Sequence, residues 1–278
     1  MHLVGRLSET KLDPGPFAGK STGLSRFPLV GRAQGSPHQS MTVLALAPGG
    51  KIERHMRAFE TGVYVLEGGL TLQVAGREET LGPDDYGFVE YGVPHSCSNA
   101  GSTPARWFEV SAPAPGSDHD DIAFVGPEIR GLETSLPFRR GHFDLAALPK
   151  SSSAIGLAGF SATNVGAAAL QLIMEREFGP SQFNLMVVQY AEGGYINDHD
   201  HAFEEGFFFL TGEIDCALDG KAYTLRAGDY CWSSVTSMHN FKARGSEPVR
   251  WLETQAPQPP TRHQARFKAE WAKLVKGG

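Results

Sequence analysis

The stretch "NDHDHAFEEGFFFLTG", from Asn197 to Gly212, places two histidines and a glutamate directly before three consecutive phenylalanines. Side chains alternate between the two faces of a β-strand, so His199 and His201 are predicted to point to the same face. Glu205 lies an even number of residues further and can share that face if the strand continues. Burying a polar or charged group without a hydrogen-bond partner is costly. These three residues are therefore exposed in a loop, buried with hydrogen-bond partners, or ligands of a metal.

The sequence repeats itself with a constant shift of 144 residues, which carries His55 to His199 and His95 to His239. The match extends over most of the chain without a gap, which indicates a tandem duplication whose two halves share one fold. The clearest matching segments are "GSPHQSMTVLALAPGG" (35–50) with "GPSQFNLMVVQYAEGG" (179–194), and "PARWFEVSAP" (104–113) with "PVRWLETQAP" (248–257).

Each copy has the pattern of short β-strands separated by tight turns. The segment "LEGGLTLQVAGREETLGPDDYGFVEYG" (66–92) breaks at Gly, Asp or Pro at short, regular intervals. This spacing predicts an antiparallel sandwich or barrel in each half. Only "RFKAEWAKLVK" (266–276) has helical spacing and composition. The expected domains are an N-terminal barrel (1–115), a linker with connecting strands (116–160), a C-terminal barrel (161–258) and a helical tail (259–278).

A fourth candidate ligand, His239, lies in "GDYCWSSVTSMHNF" (228–241), eleven residues after Gly228. In an antiparallel barrel this segment can pair close to the first, so that all four side chains converge inside. Three neutral imidazoles and one carboxylate are suitable ligands for Fe(II), Mn(II), Ni(II), Cu(II) or Zn(II). The sequence therefore predicts one divalent transition metal per chain, held by His199, His201, Glu205 and His239.

The spacing G-x5-H-x-H-x3-E-x6-G, which begins at Gly193, resembles the first motif of the cupin superfamily, and the segment with His239 resembles the second. The resemblance extends over most of each half and implies a bicupin, with two tandem double-stranded β-helix, or jelly-roll, barrels. The second motif departs from the usual pattern at Ser234, Thr236 and Ala243, where proline, glycine and asparagine are usual. These departures concern the shape of a turn and leave the ligand in place.

The N-terminal copy has lost part of the motif. At the four ligand positions it carries His55, Arg57, Thr61 and His95. Two imidazoles without a carboxylate make a poor site, and a guanidinium repels a cation. We therefore expect no catalytic metal in this half. A purely structural half is favoured, and the alternative is a second pocket in which His55, Arg57 and His95 bind an anionic ligand.

Apolar residues surround both motifs, and core packing is the expected role of most of them. Alternation places Phe207 and Phe209 on the Glu205 face and directs Phe208 outward, toward a sheet or subunit contact. A flat, apolar substrate would need such a wall beside the metal. The candidate substrate-pocket residues are Phe207, Phe209, Trp232, Met238, Phe241 and Trp251.

One intact and one decayed copy also resemble the layout of the ureidoglycine aminohydrolases of purine degradation. That resemblance implies ligands in the order Glu, His, His, Gln, from which the present order of His, His, Glu, His departs. The present set instead resembles that of cupin dioxygenases acting on enolisable or phenolic compounds. We therefore expect a metal-dependent enzyme for a small organic molecule, with a dioxygenase-type oxidoreductase favoured over an aminohydrolase-like hydrolase. Isomerases and decarboxylases of the superfamily use the same ligands, and a non-enzymatic small-molecule-binding cupin is a further alternative.

The composition excludes several classes of partner. A formal net charge of -6, with acids and bases interspersed, leaves no basic stripe for nucleic acid. No apolar run reaches the roughly 18 residues of a membrane helix, and the N-terminus lacks the apolar core of a signal peptide. The three cysteines form no CxxC pair, which is typical of a reducing compartment. We expect a cytoplasmic protein with no nucleic-acid or membrane partner, assembled as a homodimer or larger homo-oligomer.

Overall fold

The computed structural model describes residues 1–116, 121–148, 163–262 and 264–276. Within these ranges the regular structure is nearly all β, with twenty strands in two ten-stranded sheets and one α-helix near the C-terminus. The all-β, duplicated fold expected from the sequence is confirmed.

The strands of the first half are β1 (His2–Arg6), β2 (Ser21–Val30), β3 (Ser40–Arg57), β4 (Glu60–Glu67), β5 (Leu70–Val74), β6 (Arg77–Leu81), β7 (Asp85–Val89), β8 (His95–Ser98), β9 (Ala105–Ala112), β10 (Ile122–Phe124) and β11 (Phe138–His142). Those of the second half are β12 (Val165–Met174), β13 (Asn184–Asp200), β14 (Glu204–Thr211), β15 (Glu213–Leu218), β16 (Lys221–Arg226), β17 (Asp229–Ser233), β18 (His239–Arg244), β19 (Val249–Ala256) and β20 (Arg266–Phe267), followed by helix α1 (Lys268–Val275). Short 3-10 turns lie at Leu7–Glu9, Gly15–Phe17, Arg32–Gln34 and Leu145–Ala147.

The duplication is visible in the strand positions, since β2, β4, β7 and β9 begin and end 144 residues before β12, β14, β17 and β19. Each sheet also repeats the same order. One runs β11-β7-β4-β9-β3-β8-β5-β6, with β2 and β10 paired to β3, and the other runs β1-β17-β14-β19-β13-β18-β15-β16, with β12 and β20 paired to β13. Both halves therefore have one antiparallel architecture, with the long strands β3 and β13 at corresponding places.

The two compact units that contain these sheets are discontinuous in sequence. One comprises Glu9–Asp144 and Ile173–Gln182, and the other comprises Met1–Ser8, Leu145–Leu172 and Phe183–Gly278. These boundaries differ from the contiguous domains expected from the sequence. In particular, β1 does not join the N-terminal barrel, because it pairs along its whole length with β17.

The expected linker, 116–160, is also more structured than its composition indicated. β10 pairs with β3 and β11 pairs with β7, so both strands extend the N-terminal sheet. The linker residues 117–120 and 149–160 lie outside the described ranges. The helix expected at 266–276 is present as α1, preceded by the short strand β20. None of the helices in the described ranges is long and apolar enough to cross a membrane.

Strand β14 is buried on both faces. All six residues from Glu204 to Phe209 are buried, so the strand has an apolar or polar partner on each side. Phe207 and Phe209 belong to the core of the C-terminal unit. Phe208, for which alternation predicts an outward position toward a sheet or subunit contact, is only 4% exposed within the single chain. It therefore offers no free apolar surface to a second subunit.

Two turn positions explain features of the motifs. Gly212, the last residue of the first motif, has a φ of 72°, and a Cβ there would lie 2.7 Å from the carbonyl oxygen of Pro248. Only glycine fits such a position without strain. Thr236 adopts a φ of 64°, whereas its counterpart Gly92 has a φ of 69°. The loop before His239 thus retains a left-handed residue, although a β-branched side chain now has to adopt that conformation.

Candidate metal centre

The structure brings the four predicted ligand side chains together inside the C-terminal unit. The candidate ligand atoms of His199, His201, Glu205 and His239 all lie within 4.8 Å of one another, and all four residues are buried. His199 on β13 is directly opposite His239 on β18. Their rings lie 4.2 Å apart, between centroids.

The strand that carries His199 does not continue to Glu205 as the alternation argument required. β13 ends at Asp200, His201 lies just beyond it, and Glu205 is on the next strand, β14. The four side chains therefore meet because the chain turns between β13 and β14. They do not meet because alternate residues of one continuous strand share a face. Because β14 pairs with both β17 and β19, it is fixed on both sides.

Two polar atoms at the centre of the cluster lack hydrogen-bond partners, namely Nε2 of His201 and Oε2 of Glu205. Glu205 Oε2 lies 3.2 Å from His201 Nε2 and 3.0 Å from His239 Nε2, which is ion-pair range without the alignment of a hydrogen bond. Buried polar atoms without partners are rare and costly. A cation among them would satisfy them, so these residues fit a divalent transition metal.

The remaining nitrogen of each histidine is held by a backbone carbonyl. Nδ1 of His199 donates to the carbonyl of Asn197 (2.8 Å), and Nδ1 of His239 donates to that of Ser237 (2.9 Å). Nδ1 of His201 donates to the carbonyl of Gln264 at 2.5 Å. A proton on Nδ1 leaves Nε2 as the acceptor, so each ring directs a lone pair toward the cluster.

The electrostatic environment favours the protonation states that ligands need at three of the four residues, His199, His201 and Glu205. Burial, with a smaller contribution from neighbouring imidazoles, lowers the pKa of His199 well below its usual value, and burial also lowers the pKa of His201. Burial alone would lower the pKa of His239 too, but the adjacent Glu205 carboxylate raises it overall. Burial would raise the pKa of Glu205, yet the two histidines lower it. The site is therefore composed of a carboxylate and mainly neutral imidazoles.

A cavity of about 30 Å³ adjoins the cluster. Three of the six predicted pocket residues, Phe207, Phe241 and Trp251, line it. The other lining residues are Leu170, Val188, Tyr190, Ile196, Glu253 and Gln255, together with the four cluster residues.

The other three predicted pocket residues lie elsewhere. Phe209 packs in the core, with its ring 5.8 Å from that of Trp251. Trp232 faces the opposite side of β17, where its Nε1 donates to Glu204 at 3.4 Å. Met238 is half-buried in the loop before His239, and its backbone N–H donates to Asp219. The wall of the cavity is therefore less apolar than expected.

Sequence reasoning missed three polar residues of the cavity, Tyr190, Glu253 and Gln255. Gln255 Nε2 donates to Glu205 Oε1 (3.1 Å) and to Glu253 Oε1 (3.3 Å), which links a candidate ligand to a second carboxyl group. Burial, and then the Glu205 charge, raise the pKa of Glu253 to about 8. A signal was present in the sequence, because Glu253 and Gln255 share the inward face of β19 with Trp251.

The corresponding place in the N-terminal unit is filled by Arg57. Its Nε donates to Nε2 of His55 (3.1 Å), and its Nη1 donates to Thr61 (3.2 Å) and to Oε1 of Glu109 (2.8 Å). The structure thus brings His55, Arg57 and His95 together as the second-pocket alternative required. However, Glu109 already supplies Arg57 with an anion from the same chain. In the part of the chain that the structure describes, this unit has no cluster of three or more metal-binding groups.

The fold and the site define a class of protein, namely a double β-barrel protein in which one barrel retains a four-residue metal-ligating cluster. The cupin domain profile matches the chain twice, at residues 42–111 and 186–254. These two matches cover half of the chain, so the chain belongs to the cupin family and contains two cupin domains in tandem.

Individual relatives are consistent with this assignment. The tetracenomycin polyketide synthase protein TcmJ of Streptomyces glaucescens is 34% identical over 103 residues, which is 36% of this chain and 69% of the relative. A putative glyoxylate-induced protein of Pseudomonas aeruginosa has a TM-score of 0.68 at 16% identity, covering 96% of this chain and 90% of the other. The oxalate decarboxylase of Bacillus subtilis, which has Mn(II) centres, has a TM-score of 0.63 at 16% identity, covering 98% and 81%. At 16% identity, these two structures show only that this chain has the same fold.

Proposed function

We propose that this protein is a metal-dependent enzyme whose reaction centre is the four-residue cluster of the C-terminal cupin domain. The observation that carries the proposal is that one small cavity is bounded both by the cluster and by Glu253, a carboxyl group outside the ligand set. One divalent transition metal (Fe, Mn, Ni, Cu or Zn) is the cofactor that the donor set suits. The resemblance in fold to an oxalate decarboxylase with Mn(II) centres supports this class of metal.

When bound, the metal would supply a Lewis acid and a template for the oxygen atoms of a substrate. The chain itself supplies the proton-transfer group, because Glu253 faces the cavity and can hold or accept a proton at its carboxyl oxygens. Trp251 Nε1 donates to Glu253 Oε2 at 3.0 Å and limits the rotation of that carboxyl group. Gln255 keeps Glu253 and Glu205 in a constant relation to each other.

The cavity indicates the kind of substrate. A volume of about 30 Å³ holds about two water molecules, so only the reacting end of a small organic molecule could enter the cavity as it stands. Phe207, Phe241 and Trp251 provide an apolar wall. Neutral imidazoles and one carboxylate leave a divalent ion with net positive charge, which favours an anionic group such as an enolate or carboxylate.

Oxygenase chemistry on an enolisable or phenolic compound is the first reaction class that we propose. The three-histidine, one-glutamate donor set and the aromatic wall support it. The relationship to a polyketide synthase protein also supports it, because polyketides are enolisable compounds. Decarboxylation or isomerisation without O2 is the second candidate, and the position of Glu253 beside the cluster favours it, since a proton-transfer group is what such reactions need.

The test is reconstitution of the metal-free protein with each of the five metals, followed by turnover assays with enolisable and phenolic compounds. Loss of turnover without O2 supports the oxygenase. Turnover that persists without O2 supports decarboxylase or isomerase chemistry, and ammonia among the products supports the aminohydrolase alternative.

Glu253→Gln separates metal binding by the cluster from proton transfer by Glu253. The variant is expected to bind the metal as the unaltered protein does and to lose about 100-fold in kcat, a typical contribution of a positioned acid or base. Full activity of Glu253→Gln would exclude Glu253 as the proton-transfer group. Failure of the unaltered protein to bind any of the five metals would exclude the metal-dependent enzyme.

A further inference from the structure

One ligand histidine is oriented from far along the chain. His199 and His239 each donate from Nδ1 to a carbonyl two residues earlier on the same segment, and the N-terminal histidines His55 and His95 do the same. His201 is different, because its Nδ1 donates to the carbonyl of Gln264, sixty-three residues later. The orientation of His201 therefore depends on a segment that follows the barrel.

This segment, residues 264–275, comprises Gln264, β20 and α1 and is called the C-terminal strap below. β20 pairs with the end of β13, so that Phe267 lies opposite His199 and Arg266 lies opposite Asp200. Phe267 is 2% exposed and stacks on the ring of His199, with 5.2 Å between centroids and 27° between planes. The strap thus contacts two of the four candidate ligands.

An ion pair attaches the strap to the ligand segment. Arg266 Nε donates to Asp200 Oδ1 (2.6 Å), and Arg266 Nη2 donates to Asp200 Oδ2 (2.7 Å). Asp200, which is 8% exposed, lies between His199 and His201 in the sequence, and its carboxylate is the group that Arg266 holds. A bidentate pair restricts both distance and direction, which a single contact does not.

The N-terminal unit shows what part of this arrangement is general to the fold. There β10 pairs with the end of β3, and Phe124 lies opposite His55. The residue that corresponds to His201 is Arg57, however, and its guanidinium is held by His55, Thr61 and Glu109 within the barrel. The strap-to-ligand hydrogen bond therefore occurs only beside the cluster that retains metal ligands, within the residues that the structure describes.

We propose that the C-terminal strap is a positioning element of the metal centre and that Arg266 is a positioning residue for His201. Arg266 fixes the strap on Asp200, the strap presents the Gln264 carbonyl, and this carbonyl keeps the proton of His201 on Nδ1 and its lone pair on Nε2 toward the cluster. The proposal rests on the proposed metal-dependent function, but its first step concerns only the tautomer and orientation of one imidazole.

The first experiment needs no metal. Long-range 1H–15N NMR of the metal-free protein reports the tautomer of each histidine, and His201 is expected as a single Nδ1–H tautomer. In Arg266→Ala the two tautomers of His201 are expected to exchange, while His239 stays unchanged. Arg266→Lys, which keeps the charge but only one contact, is expected to be intermediate. An unchanged His201 signal in Arg266→Ala would overturn the proposal.

The second experiment measures metal affinity by competition with a chelator, using Mn(II), Fe(II) and Zn(II). In Arg266→Ala the Gln264 carbonyl is expected to lose its fixed position behind His201, which should weaken metal binding by about tenfold. Arg244→Ala is the matched control, because Arg244 is also exposed and paired with an aspartate, Asp215. Thermal unfolding of the metal-free variants shows whether the fold is intact, and Arg266→Ala is expected to lose some stability, because Asp200 is 8% exposed and loses the guanidinium that pairs with it.

The outcomes separate the two proposals. If the unaltered protein binds none of the metals, the proposed function fails, and the NMR result alone decides whether the strap orients His201. If the unaltered protein binds metal and Arg266→Ala binds it equally well, the strap has no role in the metal centre. Equal weakening in Arg244→Ala would also contradict a specific role for Arg266.

Discussion

Nη1 of Arg57 lies 2.8 Å from Oε1 of Glu109, and both side chains are buried in the N-terminal barrel. The shift of 144 residues makes Arg57 the counterpart of His201 and Glu109 the counterpart of Glu253. One barrel therefore has an internal ion pair where the other has a candidate ligand and a carboxyl group that accepts hydrogen bonds from Trp251 and Gln255. The N-terminal barrel contains its own cation, which explains how it can lose metal ligands and still keep a buried polar centre satisfied.

The metal content is expected to be one equivalent per chain and to depend on the C-terminal cluster alone. His201→Ala removes one of four ligands and should abolish stoichiometric binding. His55→Ala is the matched change in the other barrel and should leave metal content unchanged, because Arg57 prevents cation binding there. Elemental analysis of the purified, reconstituted proteins measures both. Two equivalents in the unaltered protein, or metal loss in His55→Ala, would contradict the assignment.

Removal of Arg57 alone is expected to lower the free energy of unfolding more than removal of both Arg57 and Glu109. Arg57→Met leaves a buried carboxylate without its partner and should cost roughly 3–5 kcal/mol in the free energy of unfolding. The double variant Arg57→Met/Glu109→Met should recover much of that loss, because it removes both charges. Urea unfolding measures the difference.

The control for this pair is Arg106→Met, which breaks the exposed ion pair with Glu67. It should change the free energy of unfolding by less than about 1 kcal/mol. If Arg57→Met is as stable as Arg106→Met, then Glu109 is not left as an unpaired, buried negative charge in the folded variant.

The left-handed conformation of Thr236 is expected to store strain beside the metal centre. Its backbone N–H donates to the carbonyl of His201 at 2.9 Å, which holds the loop in place. Thr236→Gly keeps this bond and removes the clash of a side chain at a φ of 64°, so it should stabilise the protein by about 1 kcal/mol. Thermal unfolding checks this.

The reverse change in the other barrel is the companion test. In Gly92→Thr the new Cβ would lie 2.6 Å from Cδ1 of Leu132, and the protein should be destabilised by more than Thr236→Gly stabilises it. A destabilised Thr236→Gly protein would mean that the threonine side chain makes a contact that outweighs its strain.

Acid is expected to destabilise the N-terminal barrel through His95. Burial, and then the charge of Arg57, lower the pKa of His95 from 6.5 to about 3. Above pH 6.5 this histidine is neutral in both the folded and the unfolded chain and has no effect. As the pH falls from 6.5 to about 3, only the unfolded chain binds the proton, so stability falls by about 1.4 kcal/mol per pH unit.

The free energy of unfolding should therefore fall less steeply between pH 6 and pH 4 in His95→Gln. The difference in slope should be about 1.4 kcal/mol per pH unit, which corresponds to one proton. Denaturant unfolding at several pH values measures the slope. His142→Gln is the control, because His142 is exposed on β11. Equal slopes in His95→Gln and the unaltered protein would indicate that His95 is protonated in the folded state.

Much of the fold could be predicted because its signals are local or periodic. The shift of 144 residues does not depend on tertiary structure, and the alternation of side chains along strands has a period of two. The same reasoning selected His199, His201, Glu205 and His239, since their residue types and spacing are sequence properties. It also singled out Arg57 as the change that separates the two halves, because a guanidinium at a ligand position is visible in the sequence.

Tertiary structure alone decided the long-range partners. β1 could pair with the sheet of the N-terminal half or with that of the C-terminal half, depending on which sheet has an open edge. No local sequence pattern encodes this choice. The partner of Arg57, the position of Glu253 beside the cluster and the carbonyl of Gln264 behind His201 all depend on contacts between distant segments. Trp232 shows the same limit from the other side, because an aromatic residue near a motif can face either surface of its strand. The physical reason is that spacing determines which residues can share a face, whereas only packing determines what that face meets.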